Sequence, residues 1–428
     1  MASRNEIPFP AGFAWGTASS SHQSEGNNVH NDWWEWEQQP GRIMHGHRSG
    51  RANNFYEMYD ADFALLAELG LTHHRLSIEW SRLEPEEGRI DPTALAHYRS
   101  VLESAQRHGI TPWVNLHHFA LPRWFATKGG FLREENLDYW RRHVERTARA
   151  LAPLARHWHP INEANAYAAG SYLIGIMPPG GRDFGAFVRV LRTTQLMYRD
   201  AYAVLKTVDP SLQVGTIHVM IPTFPAHPED EEDQLLARNF DLLFNEVPLR
   251  ALRDGVVALP GLEPEPVAGL QGAADFFGAN YYASSCIGHR QPQQLTPYPP
   301  DQPRLTQLGN GVYPDGLGLV LRRVRDALPT MPIYVAENGI GTDDDPWRIE
   351  YIEQHLAQIS DALAAGCDVR GYFHWTSVDN FEWNRGWTAQ FGLIGFDPET
   401  FARRPKPSAH FLGAIARRNA LPQASRGG

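Results

Sequence analysis

Eight short apolar runs, each followed by a stretch of helical periodicity, constrain this chain more than any other feature of it. The runs are residues 13–18 (FAWGTA), 72–80 (THHRLSIEW), 111–118 (TPWVNLHH) and 157–163 (HWHPINE), then 212–219 (LQVGTIHV), 275–282 (DFFGANYY), 332–337 (PIYVAE) and 370–377 (RGYFHWTS). They are rich in β-branched and aromatic residues and short enough to be buried strands. Between them lie amphipathic patterns. Phe63, Leu66 and Leu69 share a helix face in 55–70, which closes on Gly70. Ile349, Ile352, Leu356, Ile359 and Leu363 do the same in 347–366, which closes on Gly366. Glycine just past the last periodic residue is a C-terminal helix signal. Eight strands alternating with helices predict an α/β fold, a (β/α)8 (TIM) barrel with its active site at the C-terminal face of the strands. A doubly wound sheet would alternate in the same way, but no G-x-G-x-x-G follows the first strand.

Length alone, 428 residues with 42% hydrophobic, would allow two or three domains, yet barrels of this type run long as one unit. No internal repeat, low-complexity tract or linker interrupts the chain. One domain over 1–428 is therefore expected, with a loose tail at about 421–428. The net charge of −10 is mild, and no basic block or stripe is present, so nucleic acid is not an expected partner. The N-terminal MASRNEIPFPAGFAWG lacks an apolar segment of the secretory type, and no run approaches membrane-spanning length. The composition fits a soluble, cytoplasmic protein acting on neutral small molecules, with the oligomeric state left open. Cys286 and Cys367 have no short-range partner and read as buried or free thiols. No cofactor and no metal are expected. His45 and His47 lack further ligands at metal-binding spacing, and the acidic runs 342–346 (TDDDP) and 229–233 (EDEED) lack calcium-loop spacing. The first reads as a helix N-terminus and the second as a solvated acidic loop. Trp33, Trp34 and Trp36 read as core or loop packing.

If the barrel is right, polar residues should gather at the C-terminal ends of the strands. They do. His22, Gln23 and Glu25 follow the first strand, Arg75 lies in the second, His117 and His118 end the third, and Asn162-Glu163 ends the fourth. Asn280 and Tyr282 end the sixth, Glu337 the seventh, and Trp375 leads from the eighth into DNFEWNRGW (379–387). Glu337 is the most pointed case, a carboxylate at the mouth of an apolar run, where an unpaired charge is costly. The ends of the fourth and seventh strands face each other across such a barrel, so Glu163 and Glu337 flank one cavity. Two flanking carboxyls, one protonated and one ionised, are what glycosidic bond cleavage requires. A separation of about 5–5.5 Å gives retention of configuration and a wider one gives inversion. Thirteen tryptophans, several beside polar residues at strand ends, suit stacking on sugar faces.

These segments, taken in order, resemble glycoside hydrolase family 1, the β-glucosidases and related β-glycosidases. FPAGFAWGTASSSHQSEG (9–26), RLSIEWSRLEP (75–85), LHHFALPRW (116–124), INEAN (161–165) and MPPG (177–180) match successive motifs, as do GANYY (278–282), YVAENG (334–339) and GYFHWTSVDNFEWNRGWTAQFGLIGFD (371–397). The resemblance implies a retaining β-glycosidase, in the first instance a β-glucosidase acting on small glucosides and cello-oligosaccharides. Glu163 would be the acid/base and Glu337 the nucleophile. It also implies that Arg75 and Tyr282 contact the nucleophile and that Asn162, supported by Asn280, holds the sugar 2-hydroxyl. Gln23, His118, Glu382 and Trp383 would bind the sugar, with Trp375 stacked below the ring. On that reading Glu163 has a raised pKa, from burial and from repulsion by Glu337. Ala164, Ala336, Ala120 and Gln390 stand where Pro, Thr, Asp and Arg are usual; none of these removes a catalytic group. Glu163 is not Gln, against a thioglucosidase, and Glu382-Trp383 argues against phosphorylated sugars. The alternatives are a β-galactosidase or β-fucosidase preference, transglycosylation on the same site, and a non-catalytic sugar-binding barrel.

Overall fold

The structure, a computed structural model, describes residues 6–259, 262–290 and 295–422. All eight expected strands are present: β1 (Ala14–Ala18), β2 (His73–Ser77), β3 (Thr111–Asn115), β4 (His157–His159), β5 (Gln213–Val219), β6 (Phe276–Asn280), β7 (Ile333–Asn338) and β8 (Val369–Trp375). They run parallel in sequence order and close into a barrel, β8 pairing with β1. Helices α1 (Phe55–Leu69), α2 (Pro92–Arg107), α3 (Leu137–Leu151), α4 (Phe184–Val208), α5 (Val247–Asp254), α6 (Asp315–Ala327), α7 (Asp345–Ala364) and α8 (Pro407–Arg418) follow the strands in turn.

The local signals act as expected. Gly70 takes a left-handed conformation (φ 93°) and its N–H closes the last turn of α1. Asp344, from the acidic TDDDP run, caps α7 by accepting from the Trp347 N–H. Several strands end earlier than their apolar runs. The fourth stops at His159, Asn162 keeps only a single bridge to Ile217, and Glu163 turns left-handed (φ 46°). Beyond the ladder these residues present side chains to the mouth rather than to the sheet. The pairing register also shifts between Ala279 and Asn280, which sets Asn280 opposite Glu337. Such irregularities re-aim side chains next to active sites.

Inside the barrel Trp113 lies parallel to the His157 ring at 4.0 Å and meets Phe276, Tyr334 and Phe373 edge-on. Gly215 is forced by this packing: a Cβ there would sit 2.0 Å from the Phe276 ring.

Two expectations need correction. The run EDEED is not simply a solvated loop. Asp230 caps the helix Glu231–Asp241, and Asp233 is buried. Asp233 accepts the backbone N–H groups of His227 (3.1 Å) and His289 (2.8 Å) and faces Nδ1 of both imidazoles at 2.8 and 2.7 Å. This carboxylate ties the segment after β5 to the segment after β6. Nor are residues 421 and 422 loose, since Ala420–Pro422 pairs antiparallel with Glu6–Pro8 and Leu421 is buried; residues 423–428 lie outside the described part. Cys286 and Cys367 are buried and free. No helix among the described residues is long and apolar enough to cross a membrane.

Burial holds His74, His117, His218, His355 and His374 neutral, each lowered to about 3. Unfolded, they titrate near 6.5. Below pH 6.5 the unfolded chain therefore takes up protons that the folded chain does not, and the stability present above that pH is lost as pH falls toward 3. The urea midpoint should already drop between pH 7 and pH 5, because the five histidines outnumber the buried Asp32, Glu163 and Glu382, which are raised to about 8, 7 and 8 and act in the opposite direction. A midpoint that stays constant over that range would contradict this account.

Candidate active site

The site is assembled around Arg75. This side chain rises from β2 and is 1% exposed. One guanidinium nitrogen donates to Glu337 at the end of β7, and the other donates to Asn162 Oδ1 at 2.9 Å. The second Glu337 oxygen accepts the Tyr282 hydroxyl at 2.5 Å. Burial lowers Arg75 only to about 10 and raises the Tyr282 hydroxyl well above its usual range. At neutral pH one partner is thus a cation and the other an intact O–H donor. Charge-assisted donors on both oxygens favour the ionised carboxylate.

Glu163 sits in the opposite environment. Burial pushes it up to about 7. The hydrogen bond from Asn280 and the charge of Arg75 pull the other way without cancelling it. The expected rise is present with burial as its leading cause, while the repulsion by Glu337 that was also expected has no part in it. Asn280 Nδ2 donates to Glu163 at 2.7 Å and lies 3.3 Å from Asn162 Oδ1. A continuous chain of contacts therefore runs Glu337–Arg75–Asn162–Asn280–Glu163 across four strands or strand ends. One carboxyl is primed to be ionised and the other to hold a proton near neutrality, the separation of roles that acid-assisted bond cleavage needs.

A second group comes from the loops after β1, β3 and β8. Glu382 accepts from Gln23 Nε2 at 3.1 Å, and Gln23 Oε1 accepts from Ser20 at 2.7 Å. Burial, reinforced by the charge of Glu163, raises Glu382 to about 8. Trp383 packs on Trp33 at 4.5 Å, and Trp375 stacks on His118 at 5.5 Å. The Trp33 expected as packing is thus the bed of Trp383. Burial keeps His118 neutral. Its two ring nitrogens lie 3.2 Å from Asn162 Nδ2 and 3.3 Å from Asn115 Nδ2. Phe119, Glu163 and Trp383 all hold left-handed backbone at φ 69°, 46° and 48°, a strain that side chains other than glycine carry where the surroundings enforce it.

These residues surround a cavity of about 270 Å³. Asn162, Glu163, Tyr282, Glu337, His118, Trp375, Glu382 and Trp383 line it, as expected from sequence. Arg75, Asn280 and Gln23 stand behind the lining and act through it. Among the described residues, no lysine or arginine lines the cavity. Sequence reading missed its apolar wall: Ala166, Met177, Val219, Ile221 and Leu308. Val219 and Ile221 lie at and just past the end of β5, whose own polar residue near that end, His218, is buried and outside the cavity lining. Met177 and Leu308 fall in loops whose lengths, but not conformations, are visible in the sequence. His47 Nδ1 accepts the Trp387 N–H at 3.0 Å, a structural role.

A closed parallel barrel with two carboxyls in opposed environments at its mouth is the setting of a glycosidase. Residues 5–421 match the model of glycosyl hydrolase family 1, and the chain belongs to that family, the O-glycosyl hydrolases of this fold. β-Glucosidase A of Thermotoga maritima is 28% identical over 445 residues, covering 97% of this chain and 99% of that protein. A 6-phospho-β-galactosidase of Streptococcus equi subsp. zooepidemicus is 29% identical over 461 residues, covering 95% and 98%. Among solved structures, a β-glycosidase from Pyrococcus horikoshii superposes with a TM-score of 0.88 at 38% identity, covering 97% of this chain and 96% of that one. The Thermotoga maritima β-glucosidase in complex with glucoimidazole gives 0.91 at 27%, covering 96% and 99%.

Because the Asn280 hydrogen bond lowers the pKa of Glu163, Asn280→Ala should raise it. The alkaline limb of kcat/KM, which reports the free enzyme's acid, is expected near pH 7 in the parent and at higher pH in the variant. A limb that moves down or stays would remove Glu163 as its source.

Proposed function

We propose that this enzyme is a retaining β-glycosidase with glucose as its preferred terminal sugar, working by double displacement. The observation that carries the reading is the opposed state of the two carboxyls, Glu337 held by Arg75 and Tyr282 and Glu163 pushed up to about 7 by burial. Glu337 attacks the anomeric carbon as the Glu163 proton passes to the leaving oxygen, so the glycosidic bond breaks and a glycosyl ester forms. Glu163, now ionised, takes a proton from water, whose oxygen attacks the same carbon and releases Glu337. Two inversions give net retention. Arg75, on the nucleophile, and Asn162, toward the 2-hydroxyl, keep the reacting centre in register.

Glu382, fixed by Gln23, is placed to take sugar hydroxyls, and the stacked indoles of Trp375 and Trp383 offer faces to the ring. A β-galactoside or β-fucoside preference is the second reading, since a carboxyl and an amide accept either C4 epimer. A 6-phosphosugar is disfavoured despite the phospho-β-galactosidase relatives. Among the described residues the cavity lining holds three carboxyls and no lysine or arginine, and a phosphate dianion there would be desolvated without a partner.

Incubation with an activated 2-deoxy-2-fluoro-β-glucoside followed by peptide mapping tests this directly. One fluoroglucosyl adduct on Glu337 is expected. An adduct elsewhere, or inverted product by NMR, would overturn the mechanism. Glu163→Gln should lose about 10²–10⁴-fold in kcat on unactivated glucosides, the usual contribution of an acid, with far less loss on substrates whose leaving group needs no proton. An equal loss on both would reject Glu163 as the acid.

A further inference from the structure

Tyr282 reaches the nucleophile from beyond the strand that carries it. β6 ends at Asn280, two residues earlier, yet the Tyr282 hydroxyl meets Glu337 at 2.5 Å. A shift of about 1 Å would take that contact out of hydrogen-bonding range. Backbone pairing of β6 with β7 ends at the Tyr281 N–H, which donates to the Glu337 carbonyl at 3.0 Å. Past that point a side chain takes over. Asn338, the residue after the nucleophile, donates from Nδ2 to the Tyr281 carbonyl at 2.7 Å. Successive strand residues face opposite sides of a sheet, so Asn338 points away from the cavity that Glu337 lines and toward Tyr351 on α7.

The Asn338 amide is fully buried, and its partners are all in place. Its second N–H donates to the Tyr351 hydroxyl at 2.9 Å, and its Oδ1 accepts the Tyr372 hydroxyl at 3.1 Å. The Tyr351 hydroxyl in turn donates to the Tyr282 carbonyl at 3.4 Å. Tyr351 is itself held by its ring, which stacks on His355 at 3.8 Å. The backbone that carries the amide is confined as well, because a Cβ on Gly339 would sit 2.0 Å from the Trp375 carbonyl oxygen. The carbonyls of Tyr281 and Tyr282 are thus gripped from outside the barrel, one by Asn338 and the other by Tyr351. An amide buried between a barrel and its helices is costly unless its partners are met. An apolar side chain would serve there if filling space were the only task.

We propose that Asn338 and Tyr351 are positioning residues, a clamp that delivers the Tyr282 hydroxyl to Glu337 and so keeps the nucleophile ionised. This rests on the reading of Glu337 as the nucleophile. Neither residue lines the cavity, so neither meets the sugar, and both act through Tyr282. The other charged groups around Glu337 are Arg75, Glu163 and Glu382, and among the described residues none of them hydrogen-bonds to Asn338 or Tyr351. His355 and His374, beside Tyr351 and Tyr372, are held neutral by burial. A change at the clamp therefore reaches Glu337 by way of the Tyr282 hydroxyl.

The test is kcat/KM against pH, on an aryl β-glycoside that the parent hydrolyses, for Asn338→Ala, Tyr351→Phe, Tyr282→Phe and the Tyr351→Phe/Tyr282→Phe double variant. Taking a donor from a carboxylate raises its pKa, so the acidic limb should move up by about half a pH unit in Tyr351→Phe. It should move farther in Asn338→Ala, which loses the direct bond to Tyr281. Tyr351→Phe keeps the ring and its stacking, so the question stays open to measurement if the alanine variant does not fold. In the Tyr282→Phe background the same Tyr351→Phe change should leave the limb in place and alter kcat/KM by less than about twofold. A merely structural role would lower the melting temperature and leave the limb where it is. An unmoved limb in Tyr351→Phe, or a loss that adds in full to that of Tyr282→Phe, overturns the clamp. If Tyr282→Phe moves the limb and the clamp variants do not, only the clamp falls. If Tyr282→Phe does not move it either, Glu337 is not its source, and the nucleophile reading falls with the clamp.

Discussion

One buried cation organises this molecule's chemistry. Arg75 is buried, and its charge is met by Glu337 and by the carbonyl oxygen of Asn162. Removing either member of the Arg75–Glu337 pair would leave a charge stranded in the barrel, a cost of several kcal/mol. The pair therefore holds β2 and β7 and the end of β4 in a fixed relation, and His118, Asn280 and Glu163 are placed against them. Asn162, pinned by Arg75, meets His118 at 3.2 Å, and His118 in turn supports Trp375. Asn280 closes the chain onto Glu163. A purely structural barrel would gain more from apolar side chains at these positions.

The same pairing divides the electrostatics. Arg75 balances the charge of Glu337, while burial keeps Glu163 and Glu382 near or above neutrality in their titration. At neutral pH the cavity thus carries little net charge despite three carboxyls. A neutral sugar can be bound there without a counterion, and its hydroxyls meet groups able to donate as well as accept.

Much of this was legible in the sequence, for identifiable reasons. Buried parallel strands have to be apolar, so all eight stood out as runs, and a polar residue at the end of such a run needs a purpose, which marked Arg75, Glu163 and Glu337. The exact strand ends were not legible, because apolar character persists in residues such as Ile161 that pack below the mouth after the ladder has stopped. Acidic EDEED looked solvated because nothing local shows that Asp233 meets His227 and, 56 residues on, His289. The apolar wall was invisible for the converse reason. Val219 and Ile221 continue an apolar strand without a break in pattern, so their arrival in the cavity leaves no mark in the sequence. The tail at 421–422 was misjudged because its partner strand lies at the other end of the chain.

The Asp233 bracket has a consequence for how such an enzyme can diversify. It joins the segments after β5 and β6 with four contacts to one carboxylate, none of them shared with the chain of contacts from Glu337 to Glu163. The two halves of the mouth therefore rest on separate polar frameworks that meet at Asn280 and Tyr282. The framework of Arg75 admits almost no change, while the segments bracketed by Asp233 can vary beyond Tyr282, farther from the reacting groups. Diversity of leaving groups within one chemistry is what that division of the scaffold makes easy to reach.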